Sequence, residues 1–315
     1  MASCVCPLKQ NRILVSLLKQ FVKYQSLGND FIIFDWYKKP ALFVQVELSG
    51  GHFSSVVQRL CDRHFGVGAD GVLVITSHQE FGFPVVTIYN ADGSKAESCL
   101  NGLRCVADYL FTEYYAPAPP ELVEGRPVRG GRADGHEFQI KLGERMIDCI
   151  VHQEPSGTRT ITTHIGSATM LGEQTVTTTA GTFSGTMVSV GNPHFFIDQQ
   201  VTLEWLAQHG KAIESHELFP QKTNVEFFWQ YSEPVILDVV KSYGITVFER
   251  GSGITLACSS GAAAFTGLLH SLGHIDDHEK ISITMPGGSV IAWINNGIIS
   301  LQATAKPVFS GLLEH

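Results

Sequence analysis

Two cysteines each open a Cys-x-x-Gly sequence after a similar run of residues. Cys99 lies in YNADGSKAESCLNG and Cys258 lies in FERGSGITLACSSG, and the residues nine positions earlier are Asn90 and Glu249. A cysteine thiolate can remove a proton from carbon and a thiol can deliver one, so the pair can serve as base and acid on one substrate atom. The two cysteines therefore indicate proton transfer at a carbon centre, with inversion when they act on opposite faces.

An internal repeat makes these cysteines equivalent by position. The frame LGNDFIIFD, which contains Asn29, recurs as VGNPHFFID, which contains Asn192. Asn29 precedes Cys99 by 70 residues, and Asn192 precedes Cys258 by 66. Self-similarity of this kind is the sequence signature of a chain built from related structural units. We therefore expect the two cysteines to share one task.

Each Cys-x-x-Gly is followed by apolar residues at helical spacing. They are Leu103, Val106, Ala107 and Leu110 in the first copy and Ala262, Phe265 and Leu269 in the second. This spacing predicts that each cysteine stands at a helix N-terminus, where the helix dipole and unpaired N–H groups favour the thiolate. The same N–H groups, from residues 100–102 and 259–261, are predicted to hold charge that develops on a bound carboxylate.

Short β-rich segments separated by Gly, Pro and Ser turns make up much of the remaining chain. They include Gly71–Thr76, Pro84–Tyr89, Thr186–Val190, Val225–Trp229, Ile281–Met285 and Val290–Ile294. We predict an α+β protein of two pseudo-symmetric domains, each a mainly antiparallel sheet around one central helix, with the junction near Gly166. The Pro- and Gly-rich stretch 116–135 is interpreted as an exposed loop.

Composition excludes several functional classes. The 315 residues carry a formal net charge of −8 without a basic cluster, so nucleic acid is not an expected partner. No apolar run is long enough to cross a membrane. The seven cysteines are odd in number and irregularly spaced, which favours a reduced, cytoplasmic protein over a disulfide framework. Neither a CxxC pair nor an HExxH sequence occurs, so no metal site is predicted, and no cofactor is signalled.

The run Gly66–Gly71 matches the dinucleotide-binding pattern GxGxxG, which raises the alternative of a nucleotide-dependent enzyme. That pattern binds pyrophosphate only when a strand precedes it and a helix follows it. Here the helical, charged RLCDRH precedes it and the strand-like VLVI follows it. We therefore interpret these glycines as a tight backbone turn.

Seven motifs in order carry a resemblance to a known family. They are LGNDF, DRHFGVGADG, YNADGSKAESCLNGLRC, GNPHF, TNVEF, ERGSGITLACSSGAAA and the late PGG. With these motifs, from about residue 22 to residue 311, the chain resembles the diaminopimelate epimerases. That family interconverts LL- and meso-2,6-diaminopimelate without pyridoxal phosphate, in lysine and peptidoglycan precursor synthesis.

The resemblance implies a fold, a domain division and a catalytic pair. Cys99 and Cys258 would be the two bases, and each domain would be a sheet rolled around the cysteine-headed helix, with a cleft between the domains that closes on substrate. After an N-terminal extension, 1–21, the first domain would span 22–165, joined by 305–315, and the second would span 166–304. The expected partner is a small amino-acid substrate. A homodimer is one possible assembly.

The resemblance also implies a set of substrate-binding residues. They are Asn29, Asn90, Leu100, Asn101, Gly102, Asn192, Asn224, Glu249, Arg250, Ser259 and Ser260. The amides and the arginine would hold the distal amino-acid end, because they bind a zwitterion without surplus charge. Glu249 would pair with the ammonium at the reacting carbon, with His194 in an auxiliary role.

Two departures from the family pattern leave the substrate less certain than the chemistry. Leu100 and Ser259 stand where the family usually has glycine after each catalytic cysteine. A leucine at the helix N-terminus would reshape the pocket, so a racemase of another amino acid, such as histidine or glutamate, is the alternative. A thiol redox or binding protein, in which the two cysteines form a disulfide, is the alternative from another class.

Overall fold

The computed structural model describes residues 20–37, 52–77, 82–96, 99–115, 135–236, 239 and 241–313. The predicted extension, 1–21, lies outside these residues except for its last two positions, and the predicted loop 116–135 lies outside them except for its last. Four α-helices and eighteen strands occur within the described part of the chain.

The strands fall into two series along the chain. Those of the first half are β1 (Gln20–Ser26), β2 (Asn29–Asp35), β3 (Gly71–Ser77), β4 (Pro84–Asn90), β5 (Lys95–Ala96), β6 (His136–Leu142), β7 (Arg145–Gln153) and β8 (Arg159–Gly166). Those of the second half are β9 (Thr169–Thr178), β10 (Gly181–Ser189), β11 (Pro193–Asp198), β12 (Asn224–Gln230), β13 (Lys241–Glu249), β14 (Gly253–Ile254), β15 (Ile281–Met285), β16 (Gly288–Asn295), β17 (Ile298–Ala303) and β18 (Lys306–Leu312).

Each half also contains a pair of helices. They are α1 (His52–Cys61) and α2 (Leu100–Leu110) in the first half, and α3 (Leu203–Glu214) and α4 (Ser259–Ser271) in the second. A short π-helical turn, Phe111–Tyr115, continues α2. Every β segment named from the sequence overlaps an observed strand, and Ile281–Met285 has the same bounds.

The strand pairing repeats between the halves. β2 pairs parallel with β3, β3 antiparallel with β4, and β4 parallel with β6. In the second half β11 pairs parallel with β12, β12 antiparallel with β13, and β13 parallel with β15. In addition, β18 pairs antiparallel with β1 as β9 does with β10. The internal repeat is therefore a repeat of topology, and antiparallel pairs predominate as predicted.

The described chain divides into two units. The first holds the residues before 27, between 30 and 161, and after 304, and the second holds 27–29 and 162–304. The second unit begins at residue 162, four residues before the predicted start at residue 166. Both positions lie within β8, which is one continuous strand, so no turn marks the junction.

The turn Leu27–Asn29 belongs to the second unit, whereas the sequence analysis placed Asn29 in the first domain. The physical reason is a close approach of two backbones. A Cβ built on Gly287 would lie 1.9 Å from the Leu27 carbonyl oxygen, and Gly28 packs against Leu256. Only glycine at position 287 permits the turn to pack there.

The two helices that follow the cysteines, α2 and α4, are enclosed by their own units. Every residue of α2 is buried, and α4 is buried from Gly261 to Leu269. A helix that is buried on all sides must be surrounded by other elements. The other two helices pack against strands, since Val57 of α1 packs with Val72 and Val74 of β3, and Leu206 of α3 packs with Phe227 of β12. Each unit is thus a sheet around a central helix, as predicted.

Two charged residues lie inside α2. The Asp108 carboxylate accepts hydrogen bonds from Arg159 Nε at 2.5 Å and Nη2 at 2.9 Å, and the Asp108 side chain is fully buried. Arg104 is also fully buried, and it donates to Ser26 Oγ at 3.0 Å and to Asn101 Oδ1. Burial lowers the pKa of Arg104 to about 10, so it stays charged at neutral pH. The first unit therefore encloses charges as well as apolar side chains.

The glycine-rich run Gly66–Gly71 forms a turn between α1 and β3, as the sequence predicted. The N–H groups of Val67 and Gly68 both donate to the Leu60 carbonyl. A Cβ at Gly66 would lie 2.0 Å from the Arg59 carbonyl oxygen, so the chain needs glycine there.

An ion-pair cluster braces this turn. Asp30 contacts Lys23 at 2.8 Å and Arg63 at 2.8 Å, and Arg63 also contacts Asp70 at 2.7 Å. Burial opposes ionisation of Asp30, but the bonds from Arg63 and Lys23 outweigh it and hold its pKa at about 2.

Among the residues that the structure describes, none of the helices combines the length and the apolarity that a membrane crossing requires.

Candidate active site

Cys99 caps the N-terminus of α2. Its backbone is extended, with φ −153° and ψ 98°, and its Sγ accepts a hydrogen bond from the Gly102 N–H at 3.4 Å. As the N-cap, Cys99 has its sulfur beside the backbone N–H groups of the first turn of α2. The predicted position of Cys99 at a helix start is therefore confirmed.

Cys258 caps α4 in the same way. Its φ of −114° and ψ of 102° are also extended, and its Sγ accepts from the Gly261 N–H at 3.3 Å. Ser260 Oγ lies 3.3 Å from the same sulfur, and Cys258 is 5% exposed. The two cysteines thus occupy matching caps of matching helices, which is the equivalence that the repeat predicts.

The electrostatic surroundings of Cys258 correct one prediction. The helix start was expected to favour the thiolate, and the Gly261 N–H bond acts in that direction. Burial, followed by the nearby carboxyl groups of Glu249 and Glu226, raises the pKa of Cys258 well above its ordinary value. Since desolvation and two acidic neighbours outweigh one helix terminus, Cys258 rests as a thiol.

His194 and Glu226 form a buried pair close to Cys258. His194 Nδ1 lies 2.5 Å from Glu226 Oε1, and neither side chain is exposed. Burial raises the pKa of Glu226, although His194 opposes the shift. The resemblance gave His194 an auxiliary role beside Glu249, and in the structure Nδ1 of the His194 ring contacts Glu226. Parallel pairing of β11 with β12 explains this, because it places the two side chains on neighbouring strands.

Asn192 links this pair to the start of α4. Its Oδ1 lies 3.2 Å from His194 Nε2, and its Nδ2 donates to Ser260 Oγ at 3.4 Å. Ser260 in turn contacts Cys258. The predicted residues Asn192, His194, Ser260 and Cys258 are therefore brought together in the second unit.

Three more predicted residues lie at the ends of neighbouring strands. Asn224 Nδ2 donates to the Pro193 carbonyl at 2.9 Å, and its Oδ1 accepts from the Arg250 N–H at 2.9 Å. Asn224 thus braces the backbone on both sides, while the Arg250 side chain is exposed. Glu249 Oε1 accepts from Thr255 Oγ1 at 2.5 Å, and burial raises the pKa of Glu249. Ser259, the first residue of α4, is buried.

Three predicted residues of the first unit follow Cys99 directly in α2, namely Leu100, Asn101 and Gly102. Asn101 is buried and accepts from Arg104, while Asn90 is exposed at the end of β4 and donates to Ser94 Oγ at 3.0 Å. Leu100, the first residue of α2, is 5% exposed. The effect of Leu100 on the shape of the pocket stays a prediction.

Asn29 stands apart from these residues. It lies on the turn that groups with the second unit, and its Oδ1 is buried without a hydrogen-bond partner among the described residues. A buried amide oxygen in this state has capacity to accept a further hydrogen bond.

Sequence reasoning missed Glu226 and Arg104. A signal existed for both: Glu226 is an acidic residue inside the apolar strand sequence NVEFFW, and Arg104 is a basic residue on the apolar face of a predicted helix. Charged residues at buried positions are rare unless they are paired. Their partners, however, lie too far away in sequence to be inferred from the spacing.

The cluster of His194, Glu226 and Cys258 fits a hydrogen-bonded group better than a metal site. Potential ligand atoms of the three residues lie within 4.8 Å of one another. Two donors on a tetrahedral zinc ion stand about 3.3 Å apart at the usual bond lengths. His194 Nδ1 and Glu226 Oε1 are 2.5 Å apart, which is a hydrogen-bond distance.

We predict that Glu249→Gln makes Cys258 more reactive toward iodoacetamide. The substitution removes a negative neighbour that disfavours the thiolate, so the pKa of Cys258 falls and the thiolate fraction at pH 8 rises. The rate is measured by mass spectrometry of the peptide that carries Cys258. Glu279→Gln, which removes a carboxylate paired with Lys241, serves as control and should leave the rate unchanged. An equal or slower rate in Glu249→Gln would contradict the electrostatic assignment.

Comparison with known proteins identifies relatives of this chain over most of its length. A profile of the family described as diaminopimelate epimerase matches residues 21–124 and 186–305. The diaminopimelate epimerase of Carboxydothermus hydrogenoformans is 35% identical over 308 residues, which cover 93% of this chain and 98% of that protein. The diaminopimelate epimerase of Desulfitobacterium hafniense is 32% identical over 311 residues, with 93% and 98% coverage.

A solved structure supports the fold. The crystal structure of a hydroxyproline epimerase from Agrobacterium vitis aligns with a TM-score of 0.68 at 9% identity, covering 94% of this chain and 90% of that one. At this identity the likeness concerns the fold alone, and it confirms the predicted fold class. Because the family profile covers both halves of the repeat and the relatives align over nearly their full lengths, the chain belongs to the diaminopimelate epimerase family.

Proposed function

We propose that this protein is an isomerase that interconverts LL- and meso-2,6-diaminopimelate, with Cys99 and Cys258 as the proton-transferring pair. The observation that carries the proposal is the matching position of the two cysteines. Each caps the central helix of its unit, and each sulfur accepts the N–H of the residue three positions later. Two equivalent sulfurs suit a reaction whose forward and reverse steps are mirror images at one carbon.

The acid of the resting enzyme follows from the surroundings of Cys258. Burial, together with the carboxyl group of Glu249, keeps Cys258 as a thiol, which makes it the acid. Because proton transfer at one carbon needs one acid and one base, Cys99 takes the role of base in that direction. After one turnover the two roles are exchanged.

The first turns of α2 and α4 supply the electrostatic part of the mechanism. Loss of the α-proton places negative charge on the carbon and, by resonance, on the attached carboxylate. Backbone N–H groups at residues 100–101 and 259–260 are suitable donors for that charge, since they need no reorganisation during the reaction. Neither a metal nor an organic cofactor is required in this scheme.

The substrate assignment is supported by the relatives, because those named above carry the name diaminopimelate epimerase. The alternative of a histidine or glutamate racemase depends on Leu100 reshaping the pocket, and neither of those relatives carries such a name. Asn192 and the exposed Arg250 are retained as proposed contacts of the distal amino-acid end.

The test is α-carbon exchange in D2O. We expect purified protein in reducing buffer to introduce deuterium at Cα of LL-diaminopimelate and to form the meso isomer, with no exchange into histidine or glutamate. Mass spectrometry measures the deuterium, and chiral chromatography measures the isomer. Deuterium uptake into histidine or glutamate alone would favour the alternative racemase. No deuterium uptake into any of the three amino acids would reject the proposed isomerase activity.

We also propose a reducing compartment such as the cytoplasm. None of the described cysteines forms a disulfide; they are Cys61, Cys99, Cys105, Cys149 and Cys258. The mechanism requires Cys99 and Cys258 to stay reduced.

A further inference from the structure

A chain of polar contacts surrounds the start of α4. Cys258 Sγ lies 3.3 Å from Ser260 Oγ, which accepts from Asn192 Nδ2 at 3.4 Å. Asn192 Oδ1 lies 3.2 Å from His194 Nε2, and His194 Nδ1 lies 2.5 Å from Glu226 Oε1. The chain of contacts thus begins at the proposed acid and ends at a carboxyl group that the proposed mechanism does not use.

Glu226 also packs against the first turn of α4, where this series of polar contacts begins. Its Oε1 lies 2.9 Å from the position that a Cβ on Gly261 would occupy, and Gly261 is the residue whose N–H bonds Cys258. The second oxygen, Oε2, is buried without a hydrogen-bond partner among the described residues. The carboxyl group is therefore placed by contact with His194 and by packing against the first turn of α4.

The partners of His194 determine where its protons lie. Asn192 Oδ1 is an acceptor only, so His194 Nε2 must carry a proton to bond it. A fully buried pair next to further acidic groups avoids net charge. The pair therefore holds a second proton, which is shared between Nδ1 and Glu226 Oε1. In both arrangements of that shared proton, Nε2–H donates to Asn192.

We propose that Glu226 is a positioning residue of this active site: by sharing a proton with His194 Nδ1 it keeps Nε2–H directed at Asn192, and so fixes the Asn192 amide and the Ser260 hydroxyl beside Cys258. This inference rests on the proposed function. Without the carboxyl group, His194 can carry its single proton on Nδ1, and the unprotonated Nε2 would then face the Asn192 oxygen. The amide would have to turn away, and Ser260 would lose its donor.

The titratable groups around this series of polar contacts come from four elements. They are His194 on β11, Glu226 on β12, Glu249 on β13 and Cys258 on α4. Because the shared proton makes the His194–Glu226 pair neutral overall, Glu226→Gln changes which nitrogen of His194 carries a proton and leaves the net charge beside Cys258 unchanged.

The first test is direct observation of the shared proton. A ring proton in an N–H···O contact as short as 2.5 Å resonates far downfield in a proton NMR spectrum of histidine-labelled protein. We expect that signal in the unchanged protein, and its loss in both Glu226→Gln and His194→Gln. The second variant identifies the signal among the 13 histidines. Retention of the signal in Glu226→Gln would overturn the proposal, whatever the activity of the protein.

The second test is kinetic. We expect Glu226→Gln to lower kcat at least about tenfold, less than loss of the acid itself, and to change KM little. Glu226→Asp, which keeps the carboxylate, should restore most of kcat. An unchanged kcat in Glu226→Gln would contradict the proposal.

Glu214→Gln is the matched control for burial. Glu214 is a fully buried glutamate of the same unit that bonds the Gly251 N–H at 3.0 Å. The Glu214→Gln variant should retain the downfield signal and most of kcat, although its thermal stability is expected to fall. If the unchanged protein failed to exchange diaminopimelate in D2O, the proposed function would fail. The NMR result would still test the placement of Glu226.

Discussion

Serine in place of Cys99 or Cys258 is expected to lower kcat for epimerisation by about 10²- to 10⁴-fold. A serine hydroxyl has nearly the size of the thiol and keeps the helix cap, but it is a much weaker acid. It therefore neither forms an anion that can remove the α-proton nor delivers a proton as readily. The loss is measured as inversion of LL-diaminopimelate and as deuterium uptake at Cα.

The same substitution at Cys105 is the matched control. Cys105 lies on the same helix as Cys99, but it is fully buried, and burial raises the pKa of its thiol well above the ordinary value. Cys105→Ser should retain most of the activity and lose some stability, because it buries a hydroxyl in the core. Equal losses of activity at all three positions would contradict the assignment of the catalytic pair.

Removal of the Arg159 side chain is expected to destabilise the first unit by about 3 to 5 kcal/mol. Arg159 makes two hydrogen bonds to Asp108, whose side chain has no exposed surface. Arg159→Met leaves that carboxylate buried and uncompensated. Denaturant unfolding, followed by a probe in the first unit, measures the loss.

Two further variants separate the burial of a charge from the loss of a contact. The double variant Asp108→Leu with Arg159→Met removes both charges and should recover much of the stability. Asp277→Asn breaks the exposed pair with His270 and should cost no more than about 1 kcal/mol. If Arg159→Met cost no more than Asp277→Asn, the buried pair would not stabilise the unit as we infer.

Local patterns in the sequence predict much of this fold. Alternation and β-branched residues locate strands such as Ile281–Met285, and helical spacing after each Cys-x-x-Gly locates α2 and α4. These signals are local, because they depend on which face of one element is apolar. The repeat adds the equivalence of the two cysteines, which no single element could reveal.

The electrostatics of the site could not be predicted in the same way. The prediction of a favoured thiolate at Cys258 used the helix terminus, which is local in sequence. The opposing effects come from burial and from Glu226 and Glu249, which parallel and antiparallel pairing of β12 with its neighbours brings toward α4. The bond between His194 and Glu226 depends on the register of β11 and β12, which the spacing of the two residues does not specify.

The pairing of β1 with β18 bears on the order in which the chain folds during synthesis. β1 pairs antiparallel with β18, and the paired residues run from Gln20 opposite Leu312 to Gln25 opposite Lys306. Domains commonly complete their folding from the N-terminal end as the ribosome releases the chain. Here residues 162–304 of the second unit have all been made before β18 exists. The first unit therefore cannot complete its fold until β18 has been synthesised. The second unit can complete its fold earlier.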